Sequence, residues 1–154
     1  MVDHFTINTP VGRLTIDIDS DLVNSIQLNS GFELSSAKSL LGEKVVKQIR
    51  QYFKSPEFKF DLPLLQRGTE HQLKVWEALS EIPSGTVLTY GKLAKKIGSS
   101  ARAIGNACRN NPLPIVVPCH RIVAACDIGG FSGSQSGVLL DIKRDLLHHE
   151  GIVY

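Results

Sequence analysis

Residues 89–110 read TYGKLAKKIGSSARAIGNACRN. Thr89 is suited to cap a helix over YGKLAKKI, and Gly98, which tolerates a left-handed backbone, is suited to end it. Ser99 or Ser100 can cap a further helix, ARAIGNACRN, which runs into Asn111-Pro112. Two short helices separated by Gly-Ser-Ser describe a helix-turn-helix. From Ile82 to Cys126 there is no acidic residue, while Lys92, Lys95, Lys96, Arg102, Arg109 and Arg121 all fall in that window. Such a window is either a solvated basic face or a surface for a polyanion. Its position on these two helices favours nucleic acid.

The second of the two helices is unusual for a reader of base edges. Apart from Arg102 and Arg109 it offers small residues, Ala101, Ala103, Gly105 and Ala107. Gly105 costs a helix about 1 kcal/mol relative to Ala. Small residues let a helix backbone approach a narrow surface such as the minor groove, with one Arg as a wedge among the bases. A helix packed closely on its neighbour satisfies the same pattern, and periodicity alone leaves both readings open.

Outward from this centre the chain organises itself in two parts. Upstream, TEHQLKVWEALSEI (residues 69–82) places Leu73, Val75, Trp76, Leu79 and Ile82 mostly on one helical stripe, with Thr69 as N-cap. At the start, HFTINTPVGRLTIDID (residues 4–19) alternates around the turn Thr9-Pro10-Val11-Gly12, and NSIQLN (residues 24–29) continues the alternation. Ser36 to Phe53 puts Leu40, Leu41, Val45, Val46, Ile49 and Phe53 at helical spacing. SPEFKFDLPLLQRG (residues 55–68) reads as an extended connection in which Pro56 and Pro63 block long helices. The expected fold class is α+β. A small N-terminal antiparallel sheet with a helix, residues 1–65, precedes a mostly helical C-terminal domain containing the helix-turn-helix, residues 66–154.

Bulk properties narrow the function classes. With 42% hydrophobic and 21% charged residues the chain is globular, not disordered. No run reaches the ~18 apolar residues of a membrane span, and Met1 to Leu14 lacks the apolar core of a signal peptide. A cytoplasmic protein is expected, nuclear if the host is eukaryotic, with no membrane partner. Residues 1–65 carry seven Lys/Arg against eight Asp/Glu, residues 66–154 ten against seven. Cys108, Cys119 and Cys126 are an odd number crowded into one region, a poor disulfide framework. With no long apolar stripe left unused, a monomer is expected.

Directly after the helix pair comes NNPLPIVVPCHRIVAA, residues 110–125, an apolar run interrupted by Cys119, His120 and Arg121. Packing alone asks for three more aliphatics there. A free thiol with a pKa near ~8.5 is only a few per cent thiolate at pH 7, so a nucleophilic Cys119 needs a base, and His120 is adjacent. On an extended segment neighbouring side chains point oppositely, which argues against direct contact. Glu150 by itself reads as a helix-surface carboxylate.

Pro118-Cys119-His120-Arg121 within this stretch resembles the active-site signature of the 6-O-alkylguanine-DNA alkyltransferases, also called methylated-DNA–protein-cysteine methyltransferases. GTEHQLKVWEALSEIPSGTVLTYGKLA is similar to the family's opening helices, ARAIGNACRNNP to its helix-turn-helix, GGFSG to its substrate loop and KRDLLHHEG to its final helix. The likeness covers residues ~67 to 151; residues 1–65 match in layout alone. It implies DNA repair by direct reversal. The alkyl group on O6 of a flipped-out guanine passes irreversibly, in one turnover and without cofactor, to Cys119, which the fold is expected to hold as a poised, unprotonated attacker.

By the same resemblance, His120 acts on the thiol through an ordered water and is oriented by Glu150, while Asn111 braces the active-site turn. Tyr90 donates to guanine N3 and helps to rotate the nucleotide outward. Arg102 fills the vacated stack; Ala103 and Gly105 permit minor-groove approach, and Arg109 adds to the DNA contact. Ile122, Val123, Phe131 and Ser132 supply pocket walls and donors. The implied partner is double-stranded DNA containing alkylated guanine.

The chain also departs from the family pattern. Phe131 stands where many members have Tyr, and His71 where Phe is common. GSQSGVLLDI, between Ser132 and Lys143, is longer than usual. No Cys precedes Cys108, so the N-terminal zinc site of mammalian members cannot be built and no metal is expected. Cys108 and Cys126 read as packing residues, and His148 and His149 as helix-end surface residues. Lys143 matches a family lysine near the active-site turn, with a surface role as the alternative. Three other classes compete: a non-catalytic lesion-binding module, in which Trp would replace Cys119; a helix-turn-helix regulator, which leaves PCHR and Tyr90 without purpose; and a Cys-His hydrolase, which leaves the basic small-residue helix unexplained.

Overall fold

Strands β1 (Val2–Thr9) and β2 (Gly12–Asp19) pair antiparallel, and β3 (Leu22–Leu28) adds to β2, in the order β1-β2-β3. The computed structural model of the protein describes residues 2–131 and 137–154. Two-residue turns set the register, so that Phe5 lies opposite Ile16 and Ile7 opposite Leu14. In the second turn Ser20 and Asp21 both have left-handed backbones, with φ of 54° and 60°, as a type I′ hairpin requires. Leu64 bridges Val23 in parallel, so the extended segment after the helix returns to the sheet.

Helix α1 (Leu40–Lys54) buries Gly42, Val45, Ile49 and Tyr52. It begins four residues later than the apolar spacing suggests, because the backbone N–H groups of Lys38 and Ser39 are taken by Asp3. The Asp3 carboxylate accepts from Lys38 N at 3.0 Å, Ser39 N at 2.9 Å and Ser39 Oγ at 2.7 Å. The Ser39 hydroxyl in turn accepts from Gly42 N at 2.9 Å, capping the helix. Leu40, expected on the buried stripe, is exposed, and Tyr52 is buried in the place expected of its neighbour Phe53.

The chain divides into two compact units, one ending at Gln66 and one beginning at Arg67. In the second, α2 (Glu70–Ser80) starts with a reciprocal capping box between Thr69 and Gln72. It buries Val75, Trp76 and Leu79, while Leu73, expected on that stripe, is exposed. Trp76 Nε1 donates to the Ala107 carbonyl at 2.9 Å, tying α2 to α4. Helix α3 (Tyr90–Ile97) is capped by Thr89 and ends at Gly98 with φ 71°. Helix α4 (Ala101–Arg109) is capped by Ser100. His71 bonds to Ser99 Oγ at 2.7 Å, fixing the start of α2 against the turn between α3 and α4.

Two short features position everything that follows. β4 (Leu88–Thr89) pairs in parallel with β5 (Ile122–Val123), so Tyr90, next after β4, lies alongside the segment leaving β5. The residues before β5, Cys119–Arg121, form a single 3₁₀ turn, not the extended segment that their apolar, β-branched surroundings suggest. Helix α5 (Val138–His149) closes the unit, burying Ile142, Lys143, Leu146 and Leu147. Among the described residues no helix is long and apolar enough to cross a membrane.

Candidate active site

The 3₁₀ turn is built on a strained approach. Ile115 adopts φ +75°, a left-handed conformation that a β-branched residue takes only under constraint, at a cost of order 1–3 kcal/mol. Asn111 supplies part of that constraint. Its Nδ2 donates to the Val117 carbonyl at 2.9 Å and its Oδ1 accepts from Leu113 N at 3.0 Å, so one side chain brackets the loop from both ends. Val117 N also closes on the Leu113 carbonyl at 2.8 Å.

Cys119 and His120 are buried at the head of this turn, His120 completely. His120 Nε2 lies 2.8 Å from Glu150 Oε2; because a carboxylate only accepts, Nε2 carries the proton. His120 Nδ1 is then the unprotonated nitrogen, and it has no partner among the described residues. Burial pushes the imidazole below its ordinary value against the pull of Glu150, so the ring is neutral. Burial raises the Cys119 thiol, with Asn111 and Lys143 pulling it back only in part. Cys119 is therefore held as a thiol, not as the standing thiolate expected, and attack needs its proton removed.

Glu150 reaches His120 because α5 ends there. Gly151 turns left-handed with φ 87°, and the N–H groups of Gly151 and Ile152 close on the carbonyls of His148 at 2.9 Å and Leu147 at 2.8 Å. The Glu150 side chain is fully buried, whereas sequence alone places it at the surface. Arg121 Nε and Nη2 donate to its two oxygens at 2.8 and 2.9 Å, a bidentate pair.

Lys143 is completely buried, which excludes the surface alternative. Its Nζ donates to the carbonyls of Ile122 at 2.6 Å and Gly130 at 2.8 Å. Burial lowers its pKa to about 8. Tyr90 Oη donates to the same Gly130 carbonyl at 3.4 Å, and burial raises the phenol to about 12, so it keeps its proton as a donor. A Cβ on Gly129 would stand 3.0 Å from the Tyr90 ring and 3.1 Å from Ala124 N, so only glycine lets this loop close on the tyrosine.

A cleft of about 730 Å³ opens above Cys119, with Tyr90, Phe131 and Ala124 among its walls and Arg102, Gly105 and Arg109 of α4 along its rim. Residues 70–152 match the family model described as the DNA binding domain of 6-O-methylguanine DNA methyltransferase. The chain belongs to this family. It is 37% identical over 156 residues to the methylated-DNA–protein-cysteine methyltransferase of Mycolicibacterium paratuberculosis, covering 96% of this chain and 91% of that one. To the constitutive enzyme of that name in Bacillus subtilis it is 35% identical, covering 97% and 95%. Among solved structures, Mycobacterium tuberculosis OGT in complex with DNA superposes with a TM-score of 0.81 at 33% identity, covering 96% of this chain and 92% of that one.

Within this methyltransferase the sequence-derived site residues fall into three groups. Cys119, Tyr90 and Phe131 line one cleft with Arg102, Gly105 and Arg109, while His120, Glu150 and Asn111 lie behind it as the support of the turn. Ala103 is half-buried and does not line the cleft. Ile122 and Val123 do not line it either: both side chains are buried, and they serve as the β5 rung that pairs with β4. Ser132 lies outside the described residues. Cys126, expected to pack, is exposed, whereas Cys108 is buried and lines the cleft. Sequence reasoning missed the Arg121 clamp. Its signal was present, since an arginine inside an apolar run needs a buried carboxylate to meet it.

Proposed function

We propose that this protein repairs alkylated DNA by transferring the alkyl group from guanine O6 to Cys119, once per molecule and without cofactor. Cys119 Sγ attacks the alkyl carbon; the S–C bond forms as the C–O bond breaks and its electron pair moves onto the purine. The thiol proton passes, through a bridging water, to His120 Nδ1. Glu150 stabilises the imidazolium through Nε2. Tyr90 donates to guanine N3 and so offsets the charge that departs with the ring. His120 then releases its proton to solvent and the departing guanine takes one up from solvent, so the sum is thiol and alkoxypurine to thioether and guanine, with no external reactant consumed. The thioether left on Cys119 has no useful leaving group, which makes the protein a reagent, not a turnover catalyst.

The observation that carries this reading is the buried His120, its Nε2 committed to Glu150 and its Nδ1 open, directly after a thiol that lines a cleft. The basic rim supports a duplex partner approached through the minor groove, with Arg102 as the wedge and Gly105 as the point of close approach. Among the described residues a Cβ at Gly105 would meet nothing within 4 Å, so intramolecular packing does not ask for glycine there. On this reading the unit from Arg67 onward binds DNA and transfers the alkyl group, and the protein works as a cytoplasmic monomer.

Intact-mass measurement after mixing with a methylguanine-containing duplex tests the proposal. A gain of one methyl, located on the peptide containing Cys119 and absent in Cys119→Ala, is expected. Several turnovers per molecule, or transfer to another residue, refutes it.

A further inference from the structure

The arginine of the clamp has no role in the mechanism above, yet it is built in with more contacts than packing requires. Its Nη1 donates to the Ile82 carbonyl at 2.6 Å, while Nε and Nη2 take both oxygens of Glu150. Three donors of one planar fork are thus committed, and the side chain is only 11% exposed. Lysine, a point donor on a flexible stem, cannot reproduce that arrangement.

We propose that Arg121 is a positioning residue of the transfer reaction, keeping the Glu150–His120 pair in the one protonation state whose Nδ1 accepts the thiol proton. The inference rests on the proposed function. Its logic is a count of charge in a dry place. Without the guanidinium, the fully buried carboxylate loses the cation that takes both of its oxygens, and burial then favours uptake of a proton by the Glu150–His120 pair. That proton has two places to go. On His120 it makes an imidazolium, and Nδ1 is occupied. On Glu150 it makes a carboxyl that donates to Nε2, and the ring proton then sits on Nδ1. Either way the base is lost. With Arg121 in place the carboxylate is matched and the pair needs no proton.

The other charges around the ring do not substitute for it. Lys143 on α5 also presses the imidazole downward, but its ammonium is spent on the carbonyls of Ile122 and Gly130. Cys119 on the same turn is a thiol. Helix α2 packs against the turn too, yet its Glu70, Lys74 and Glu77, and Glu81 at its end, are exposed, and His71 is bonded to Ser99. The burial of His120 and the nearby Arg121 charge act in the same direction on the ring, against Glu150.

The test is the pH dependence of Cys119 alkylation by free O6-benzylguanine, which removes DNA binding from the measurement. Wild type, Arg121→Met and Arg121→Lys are compared. In Arg121→Met the acid limb is expected to move up by roughly 1 pH unit, so that below the limb the variant reacts about tenfold more slowly, and the loss shrinks above it. Arg121→Lys, which keeps the charge without the fork, is expected to fall between. An arginine that only holds the fold together would lower the rate equally at every pH and leave the limb in place, and that result overturns the proposal. If the methionine variant does not fold, the lysine variant decides alone, by a limb that moves or does not. A wild type that fails to alkylate Cys119 refutes the proposed function instead, so the two failures are distinct.

Discussion

A thiol raised by burial and an imidazole lowered by burial are each poor partners in water, but side by side they divide one task. Desolvation raises Cys119, so the resting sulfur keeps its proton, and it lowers His120, so the ring is ready to accept one. Glu150 is the residue on which that division turns, because it decides which ring nitrogen is free. Glu150→Gln keeps a group that accepts from Nε2 but removes the charge that stabilises the imidazolium. Alkylation of Cys119 by free benzylguanine is expected to slow on the order of 10²-fold, the lower end of what a positioned base contributes. Single-turnover kinetics followed by intact mass would check it; a rate within a few-fold of wild type would remove Glu150 from the relay. Glu150→Ala is the harsher change, since it strands the Arg121 guanidinium in a buried site, at a cost of about 3–5 kcal/mol in stability.

At the scale of elements, α4 presents two faces with different duties. Ile104, Ala107 and Cys108 are buried, and Trp76 grips the Ala107 carbonyl. The other face carries Arg102, Gly105 and Arg109 along the cleft rim, with Arg102 exposed. Among the described residues a Cβ at Gly105 meets nothing within 4 Å, so packing gives no reason to keep a glycine that costs a helix about 1 kcal/mol. On the proposed reading, the approach of a duplex supplies one. Arg102→Ala is expected to slow repair in duplex DNA at least tenfold while leaving reaction with free benzylguanine within a few-fold; equal losses in both assays would exclude the wedge. The caps of α3 and α4 were legible in sequence because Thr89, Gly98 and Ser100 act locally. The β4–β5 ladder was not, since two-residue strands carry no periodicity. Nor was the 3₁₀ turn, because Ile115, Val116 and Val117 prefer strands and the left-handed Ile115 is imposed by Asn111 and the loop closure. Glu150 and His120 are thirty residues apart in sequence, and resemblance, not pattern, joined them. Arg121 did leave a local signal, an arginine inside an apolar run, but its partner did not, because Glu150 lies 29 residues further along the chain.

The whole molecule offers a way to watch these charges through folding. Its single tryptophan, Trp76, is buried in the unit that begins at Arg67, so indole fluorescence reports that unit alone. His120 is depressed in the folded state relative to its ordinary 6.5. Below pH 6.5 the unfolded chain therefore binds a proton that the folded chain refuses, and stability is lost as pH falls from there toward the folded value. Lys143, lowered to about 8 from 10.5, works in a separate window: between those values the unfolded chain holds the extra proton, so stability rises with pH. Tyr90 and the two buried thiols are raised and pull the other way above pH 9, which leaves the acid side as the clean measurement. Urea unfolding followed at Trp76 is expected to lose up to ~1.4 kcal/mol per pH unit more in wild type than in His120→Asn below pH 6.5. Parallel slopes for the two proteins would mean that the folded unit takes up the His120 proton as readily as the unfolded chain does, and the neutral base on which the transfer chemistry depends would be gone.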